Sequence, residues 1–244
     1  MARTVNVAEH AARRDAILDT AQRTVLSTGC ERLTVQDLLD ELQISKGAFY
    51  HYFDSKLAVI EALTERLVSD SAQALSPIVD NPELGADEKL KRFFDEIIRW
   101  KSSRQSLFVA MLPVWYAPDN IAFRLRVQLA VAKRLAPQLT AIVRQGAEER
   151  QFATAFPEQA GAIIVALVQS LQDAIAHPLM AAAFRAPDAP RTNEIVATYG
   201  AHIEAIERYL GVSSGALYRA DSRAVNSWIA ALRRAGTTVT GATR

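Results

Sequence analysis

The sequence predicts an all-α protein. Apolar residues recur three and four positions apart through most of the 244 residues, and no long stretch alternates with period two. Hydrophobic residues make up 50% of the chain, which is enough for a sizeable core. Lys and Arg together number 28 against 27 Asp and Glu, so the net charge of +1 neither favours nor excludes a polyanionic partner.

The composition favours a reducing compartment. The single cysteine, Cys30, cannot form an internal disulfide. The N-terminus lacks the pattern of a signal peptide, and no apolar run reaches the roughly 18 residues that a membrane span needs. We therefore expect a cytoplasmic protein with no membrane partner.

The first two helices are delimited by residues that favour helix ends. A helix over 8–28 is expected to stop at Gly29, since glycine readily adopts the left-handed conformation that closes many helices. Thr34 opens a second helix, because its hydroxyl can accept a hydrogen bond from the free amides of a first turn. This second helix ends near Gln43.

The segment "SKGAFYHYFDSK", residues 45–56, is expected to hold a third helix and the start of a fourth. Ser45 caps the third helix, which covers about 46–52, and Ser55 caps the fourth. Residues 76–85, "SPIVDNPELG", contain two prolines, an asparagine and a glycine, so we expect a connection there.

Longer amphipathic helices follow, separated by segments rich in proline or glycine. They are expected over residues 87–102, 105–112, 121–149, 157–180, 192–210 and 221–234, with a frayed end from residue 236. The chain is thus expected to comprise an N-terminal unit, 10–72, a larger helical unit, 73–211, and a C-terminal extension, 212–244, with one amphipathic helix.

Residues 34–53 have the dimensions of a helix-turn-helix, in which one short helix supports a second whose N-terminal turn enters the major groove of DNA. Gly47 and Ala48 lack bulk, so the backbone of the second helix can approach a phosphate closely. The caps Ser45 and Thr34 can add hydroxyl donors. Such contacts fix the register of a protein on DNA without reading its sequence.

Helical spacing sorts the aromatic side chains of this segment. Phe49 and Phe53 lie four positions apart and are expected to face the supporting helix. Tyr50 lies about 100° further round and points with Lys46 towards the groove, where a tyrosine can contact a phosphate or a thymine methyl. The candidate DNA contacts are Thr34, Ser45, Lys46, Gly47, Ala48, Tyr50, His51 and Lys56.

Residues 34–59, "TVQDLLDELQISKGAFYHYFDSKLAV", resemble the DNA-binding signature of the tetracycline-repressor (TetR) family of transcriptional regulators. The positions that match the family pattern include Thr34, Leu38, Ser45, Gly47, Tyr50, Phe53 and Lys56. The resemblance covers about residues 13–60. It implies a homodimeric regulator of double-stranded operator DNA, with a repressor released by a small, mostly apolar effector as the leading hypothesis.

Two features depart from that pattern. Gln43 stands where the family commonly has glycine, and a left-handed residue other than glycine costs on the order of 1 kcal/mol. Residues 1–56 hold seven Lys or Arg against eight Asp or Glu, although a DNA-binding head is usually more basic. We expect modest affinity from each head, so dimerisation must double the contacts.

Aromatic and methionine side chains gather in 106–116 and on the preceding helix. Such a group is more often plain core, but the resemblance to the TetR family implies a small effector in this region, so both interpretations stay open. Arg124 and Gln128 are alternative polar groups for the pocket. The candidate pocket residues are Phe94, Trp100, Phe108, Met111, Trp115, Tyr116, Arg124 and Gln128.

Helix 157–180 is apolar except for a row of polar side chains spaced three or four apart. Polar groups on a buried helix need partners, so this row could orient a ligand or form hydrogen bonds across a dimer. The resemblance implies that the last two long helices pack against their copies as a four-helix bundle. The candidate interface residues are Gln169, Gln172, Asp173, His177, Tyr199, Ile203 and Ile206.

Residues 210–225, "LGVSSGALYRADSRAV", repeat part of the pattern around the third helix. Ser213, Gly215 and Tyr218 stand in the same order as Ser45, Gly47 and Tyr50. However, no equivalent of the first helix, 8–28, precedes this segment, and a helix-turn-helix without that bracing helix has too little core to stand alone. A helix stop followed by a turn is therefore favoured over a second DNA-reading unit.

A ligand carrier or an enzyme built on a helical bundle is the alternative function. The four histidines are scattered without metal-ligand spacing, Cys30 has no evident base, and no glycine loop for phosphate is present. We therefore expect no catalytic residue, no metal site and no cofactor.

Overall fold

The computed structural model describes residues 7–184, 186 and 191–241, with side chains over 8–184, 186 and 191–235, and confirms the all-α prediction for that part of the chain. A short 3-10 turn, Pro118–Asn120, lies between two of its helices. The helices are α1 Val7–Thr28, α2 Val35–Leu42, α3 Lys46–Tyr50, α4 Lys56–Val79, α5 Ala86–Ser103, α6 Gln105–Trp115, α7 Ile121–Glu148, α8 Pro157–Ala183, α9 Thr192–Leu210 and α10 Ser222–Gly241.

The early helix ends follow the residues that predicted them. Gly29 lies at φ 89° directly after α1, where its amide donates to the Val25 carbonyl. Thr34 caps α2 through a reciprocal pair: the Asp37 amide donates to Thr34 Oγ1 at 3.1 Å, and the Thr34 amide donates to Asp37 Oδ2 at 2.8 Å. This capping box satisfies two amides that a helix start leaves free.

Several helix limits differ from those that the sequence predicted: α3 ends at Tyr50 and not at 52, and α8 continues to Ala183 and does not end at 180. α4 continues through Pro77 to Val79, and α6 continues through Pro113 to Trp115. Each proline lies within three residues of the helix end, so it disturbs only the last turn. The predicted connection over 76–85 is therefore wrong for its first four residues.

α10 continues to Gly241, so the fraying predicted from residue 236 is wrong as far as 241. Residues 242–244 lie outside the described residues.

The predicted boundary between residues 72 and 73 falls inside α4. We refer to residues 7–63 as the head and to α5–α9 as the body. The buried core of the head includes Ile17, Leu38 and Phe49, but it continues without a break into Met111 of α6 and Phe123 of α7. Head and body thus share one core across α6.

The body has a second core, formed mainly by α5, α7, α8 and α9. α7 and α8 approach most closely at Gly161, where a Cβ atom would lie 2.0 Å from the carbonyl oxygen of Ala136. A third buried cluster joins α10 to α6, α8 and α9. The C-terminal extension is therefore packed against the body by its own apolar face.

α8 differs from the sequence expectation of no membrane-length apolar segment. Its 27 residues are long and apolar enough to cross a membrane by length and composition, with a mean hydropathy of 1.4 over its best window. It packs against α7 and α9 within the chain. Only 22% of that 18-residue stretch is buried inside the single chain, so much of α8, including Ala162, Ile163 and Ala166, is uncovered.

Candidate nucleic-acid interface

α3 is a five-residue helix held at its N-terminus by Ser45. The Ala48 amide donates to Ser45 Oγ at 3.1 Å. α2 and α3 are joined by a tight turn in which Gln43 adopts φ 51°, ψ 44°, and the Ile44 amide donates to the Leu39 carbonyl at 3.1 Å. A side chain therefore occupies the left-handed position where the family commonly has glycine, which costs on the order of 1 kcal/mol.

The two faces of α3 separate as helical spacing predicted. Phe49 is 0% exposed and Phe53 is 4% exposed, and both lie in the core of the head. Tyr50 is 44% exposed on the opposite side, with the Lys46 ammonium 5.9 Å from the centre of its ring. Gly47 and Ala48 are also exposed. The exposed side of α3 thus combines a cation, an aromatic hydroxyl and a stretch of backbone that another molecule can approach closely.

A histidine from α1 adjoins this surface, and sequence spacing did not indicate it. The His10 ring lies 5.6 Å from that of His51 and 4.6 Å from that of Tyr52. His51 is exposed, whereas His10 and Tyr52 are half-buried. His10 and His51 are 41 positions apart, so only the packing of α1 beside α3 brings them together.

Lys56 is held in a hydrogen bond within the head. Its ammonium donates to the Glu31 carbonyl oxygen at 2.7 Å and so ties the first turn of α4 to the loop before α2. Cys30 lies beside this contact, and burial raises the pKa of its thiol to about 11, despite the charge of Lys56. We therefore assign Lys56 primarily to positioning the turn.

Other cations of the head are also paired. Arg23 donates to Glu41 at 2.7 Å, and Arg66, which lies just beyond the head on α4, donates to Asp19 of the head at 2.7 Å. The Arg14 guanidinium lies 5.2 Å from the centre of the Phe53 ring. These contacts are consistent with the balanced charge of this region and leave Lys46 as a cation next to the exposed tyrosine.

The predicted pocket residues fall into two separate groups. Trp100, Phe108 and Trp115 form a row of edge-to-face rings with centres 5.7 Å apart at each step. Met111 is fully buried beside them in the shared core. Phe94 lies instead in the second core, with α7, α8 and α9, so it does not line the same space. We remove Phe94 from the candidate pocket.

The polar candidates of pocket and interface bind one another around Asp173. The Tyr116 hydroxyl donates to Asp173 Oδ1 and the Gln128 amide donates to Asp173 Oδ2, both at 3.0 Å. Burial raises the pKa of the Tyr116 hydroxyl and the Asp173 charge raises it further, which keeps it a donor. Arg124 lies 5.2 Å from the centre of the Tyr116 ring and His177 lies 5.4 Å from it. The cluster ties the end of α6 to α7 and α8.

The predicted interface residues also divide. Ile203 and Ile206 are 1% and 0% exposed within the single chain, because this side of α9 faces the second core; their assignment to an interface is wrong. Tyr199 is half-buried, with its ring edge-on to that of Tyr218. Gln169 donates to the Gln128 carbonyl at 2.7 Å. Asp173 and His177 are exposed, and Gln172 is half-buried.

The exposed face of α8 and α9 includes small side chains among its polar ones. On α8 it includes Ala162, Ala166 and Ala174, and on α9 it includes Ala197 and Ala201. Sequence spacing pointed to the polar row and missed these alanines. Their signal is the four-residue spacing of Ala162 and Ala166 on α8 and of Ala197 and Ala201 on α9.

Comparison with known proteins places the head in a family. Residues 17–63 match the model of the bacterial regulatory proteins of the tetR family. The chain is 37% identical over 67 residues to the HTH-type transcriptional regulator EthR of Mycobacterium tuberculosis, which covers 28% of this chain and 31% of EthR. It is 27% identical over 85 residues to the HTH-type transcriptional repressor NemR of Escherichia coli, covering 35% of this chain and 43% of NemR. The matched segments thus span less than half of either relative.

Solved structures resemble the fold over a longer stretch. A transcriptional regulator from Cytophaga hutchinsonii superposes with a TM-score of 0.59 at 12% identity, over 82% of this chain and 97% of that one. A regulator of the TetR/AcrR family from Thermobifida fusca gives 0.51 at 15% identity, over 96% and 100%. The sequence similarity to the tetR family of bacterial regulatory proteins thus lies in the head, and the helical body resembles these regulators in fold alone.

Proposed function

We propose that the protein is a sequence-specific DNA-binding transcriptional regulator whose α3 enters the major groove. The observation that carries this proposal is the division of α3: Phe49 and Phe53 are buried beneath it, while Tyr50 is 44% exposed beside Lys46. A helix that served only to fill the core would not need an exposed tyrosine beside a lysine. Tyr50 can donate to a phosphate while its ring lies against a sugar or a thymine methyl.

The remaining contacts position the helix on DNA. The hydroxyls of Thr34 and Ser45 accept from helix amides and keep their own hydrogens for phosphates. Gly47 and Ala48 let the backbone approach the strand, and His51 can donate from the end of α3. Lys56 acts mainly through its bond to Glu31. Because these donors are few, we expect a moderate dependence of affinity on salt.

The protein acts as a homodimer in this proposal, through the uncovered faces of α8 and α9. Only 22% of the most apolar 18-residue stretch of α8 is buried within one chain, so the remainder is available to pack against a second chain. The small side chains on α8 and α9 allow two helix pairs to approach closely. Asp173, His177, Gln169 and Gln172 lie at the edge of this face. A dimer would place two heads on half-sites about 34 Å apart, one turn of DNA.

A small, mostly apolar effector would release the dimer from its operator in the cytoplasm. The half-buried Phe108 and Trp115 on α6 offer the apolar surface, and Tyr116, Arg124 and Gln128 offer polar groups beside it. Met111 of α6 lies in the core of the head, so a ligand that moves α6 also disturbs the packing of the head. Release then needs only a few kcal/mol of differential affinity between two head spacings.

The test is a titration of the full-length protein against DNA from upstream of its own gene, at low and moderate salt. We expect a complex that unrelated DNA does not displace, and weaker binding for Tyr50→Ala with an intact dimer by light scattering. Unchanged operator affinity for Y50A would exclude α3 as the reading helix. If no sequence-dependent complex forms at low salt, the alternative function of a ligand carrier is favoured.

A further inference from the structure

α6 lies between the head and the C-terminal helix, and its two sides belong to different cores. Leu107, Met111 and Val114 belong to the core of the head, with Ile17 of α1. The Trp115 indole also donates to Thr64 Oγ1 of α4 at 3.4 Å. The opposite side of α6 carries Val109, 3% exposed, in the cluster that includes Val225, Ile229 and Leu232 of α10.

α10 ties α6 to the two helices that we assign to the dimer. The Gln105 amide of α6 donates to Ser227 Oγ at 3.4 Å. From the neighbouring position of α10, Asn226 accepts from the Thr192 hydroxyl of α9 at 3.0 Å. Arg233 donates to the Ala183 carbonyl at the end of α8 at 3.0 Å. The same helix is therefore bonded to α6, α8 and α9.

These contacts constrain how α6 can move. Buried clusters are packed as densely as crystals of small molecules, so a helix cannot shift in one cluster without disturbing the other. α6 is held from one side by the head and from the other by α10. α10 is anchored in turn to α8 and α9. The position of the head relative to the dimer face thus depends on the contact between α6 and α10.

We propose that α10 is an intramolecular clamp that holds α6, and through it the head, in the orientation that binds operator DNA. The proposal rests on the proposed function, since operator affinity is its readout. Loosening the clamp gives the two heads a wider range of spacings and so weakens operator binding, although no residue near the DNA has changed.

The first test compares two core truncations in the cluster around α10. Val109→Ala removes packing between α6 and α10, whereas Ile195→Ala removes a larger side chain of α9 from the same cluster. We expect V109A to bind operator DNA at least fivefold more weakly and I195A to bind within twofold of wild type. Unfolding curves set the assay temperature below the midpoint of every variant. Should V109A fail to fold, Ile229→Val replaces it with the same expectation.

The second test restores the clamp covalently in the weakened variant. Q105C with S227C lets a short bis-maleimide link α6 to α10, and T192C with N226C links α9 to α10 as the matched control. Cys30 is 1% exposed, so it does not compete for the reagent. In the V109A background the first link should return operator affinity to within twofold of wild type, and the second should not.

The clamp is refuted if V109A binds like wild type, if I195A is weakened as much as V109A, or if both links rescue equally. Equal rescue means that α10 acts only through stability. Failure of wild type itself to bind any upstream DNA rejects the proposed function instead, and the clamp with it. Rescue by the α6–α10 link alone establishes the clamp.

Discussion

Residues 45–50 and 213–218 carry nearly the same six residues, SKGAFY and SSGALY, yet only the first forms a helix. In the first segment the Ala48 amide donates to Ser45 Oγ, and α3 begins there. Phe49 is buried beneath it in the core of the head. A local cap and a tertiary contact therefore agree on a helix.

The second segment bonds to a side chain from outside it. Glu207 of α9 is 1% exposed, and its carboxylate accepts from the Gly215 amide at 3.0 Å, from the Leu217 amide at 2.9 Å and from Arg219. Leu217 corresponds to Phe49, whose amide donates to the Ser45 carbonyl at 3.1 Å in α3, so Glu207 takes an amide that would otherwise close the first helical turn. The favoured interpretation of a helix stop and a turn fits this loop. The same pattern thus becomes a helix or a loop according to which acceptor its amides find.

Glu207→Gln should have the largest effect on this comparison. It leaves Arg219, which is 35% exposed, without its charged partner, and losing a hydrogen bond between charged groups costs about 1.5–3 kcal/mol. We expect that loss in the free energy of unfolding, measured by urea titration, with operator affinity unchanged below the unfolding midpoint. A loss of under about 0.5 kcal/mol would mean that the loop does not depend on the carboxylate.

The pH dependence of this stability has a defined sign. Burial raises the pKa of the Glu207 carboxyl, but the hydrogen bonds from Leu217, Arg219 and Gly215 outweigh it, and the pKa lies below its usual value. The contribution of Glu207 is therefore present above the unfolded pKa of about 4.3 and is lost as pH falls through the folded pKa. The difference between wild type and E207Q should shrink below about pH 4.

Tyr50→Ala and Tyr218→Ala test whether the two tyrosines have the same role. Y50A should weaken operator binding about 10- to 100-fold, the range of one good contact to DNA, while Y218A should bind within twofold of wild type. Gel shifts and light scattering of both variants are the measurements. Equal losses for the two, with intact dimers, would assign the second segment to DNA and overturn our interpretation of it.

Gly47→Ala and Gly215→Ala should change stability in opposite directions. Gly47 is helical, and a Cβ atom there meets only Ser45 Oγ at 4.0 Å, so alanine should stabilise α3 by about 0.5–1 kcal/mol. Gly215 has φ 86° with open space around it, so alanine should cost about 1 kcal/mol from the backbone alone. Thermal unfolding measures both, and the same sign for both changes would contradict the assigned conformations.

The features that sequence predicted well are those decided within a few residues. The caps at Thr34 and Ser45, and the inward face of Phe49, depend on neighbours three or four positions away. The left-handed conformation of Gln43 likewise depends on neighbouring residues, because it lies in the short turn between α2 and α3. Most helix limits also follow from local residues. The exceptions include α4 and α6, which continue past a proline in their last turn.

The features that sequence did not predict depend on distant partners. Lys56 is bound by a carbonyl 25 positions away, and Asp173 gathers side chains from α6 and α7. Ile203 and Ile206 were assigned to the wrong side of α9, because periodicity identifies an apolar face but not the element that covers it. Glu207 organises the loop through partners 8, 10 and 12 positions away.

Ser45→Ala and Ser213→Ala give the smallest contrast and the most local one. Ser45 Oγ is the acceptor for the Ala48 amide, so S45A should cost about 1 kcal/mol of stability. Ser213 is exposed and takes part in its turn through its carbonyl, which accepts from the Ala216 amide, so S213A should stay within about 0.5 kcal/mol of wild type. Urea titration of both resolves the difference.

Operator affinity should also fall for S45A, because the hydroxyl that caps α3 is the one we assign to a phosphate. If S213A costs as much as S45A, the second serine is a cap as well, and Glu207 does not by itself explain why the two segments differ.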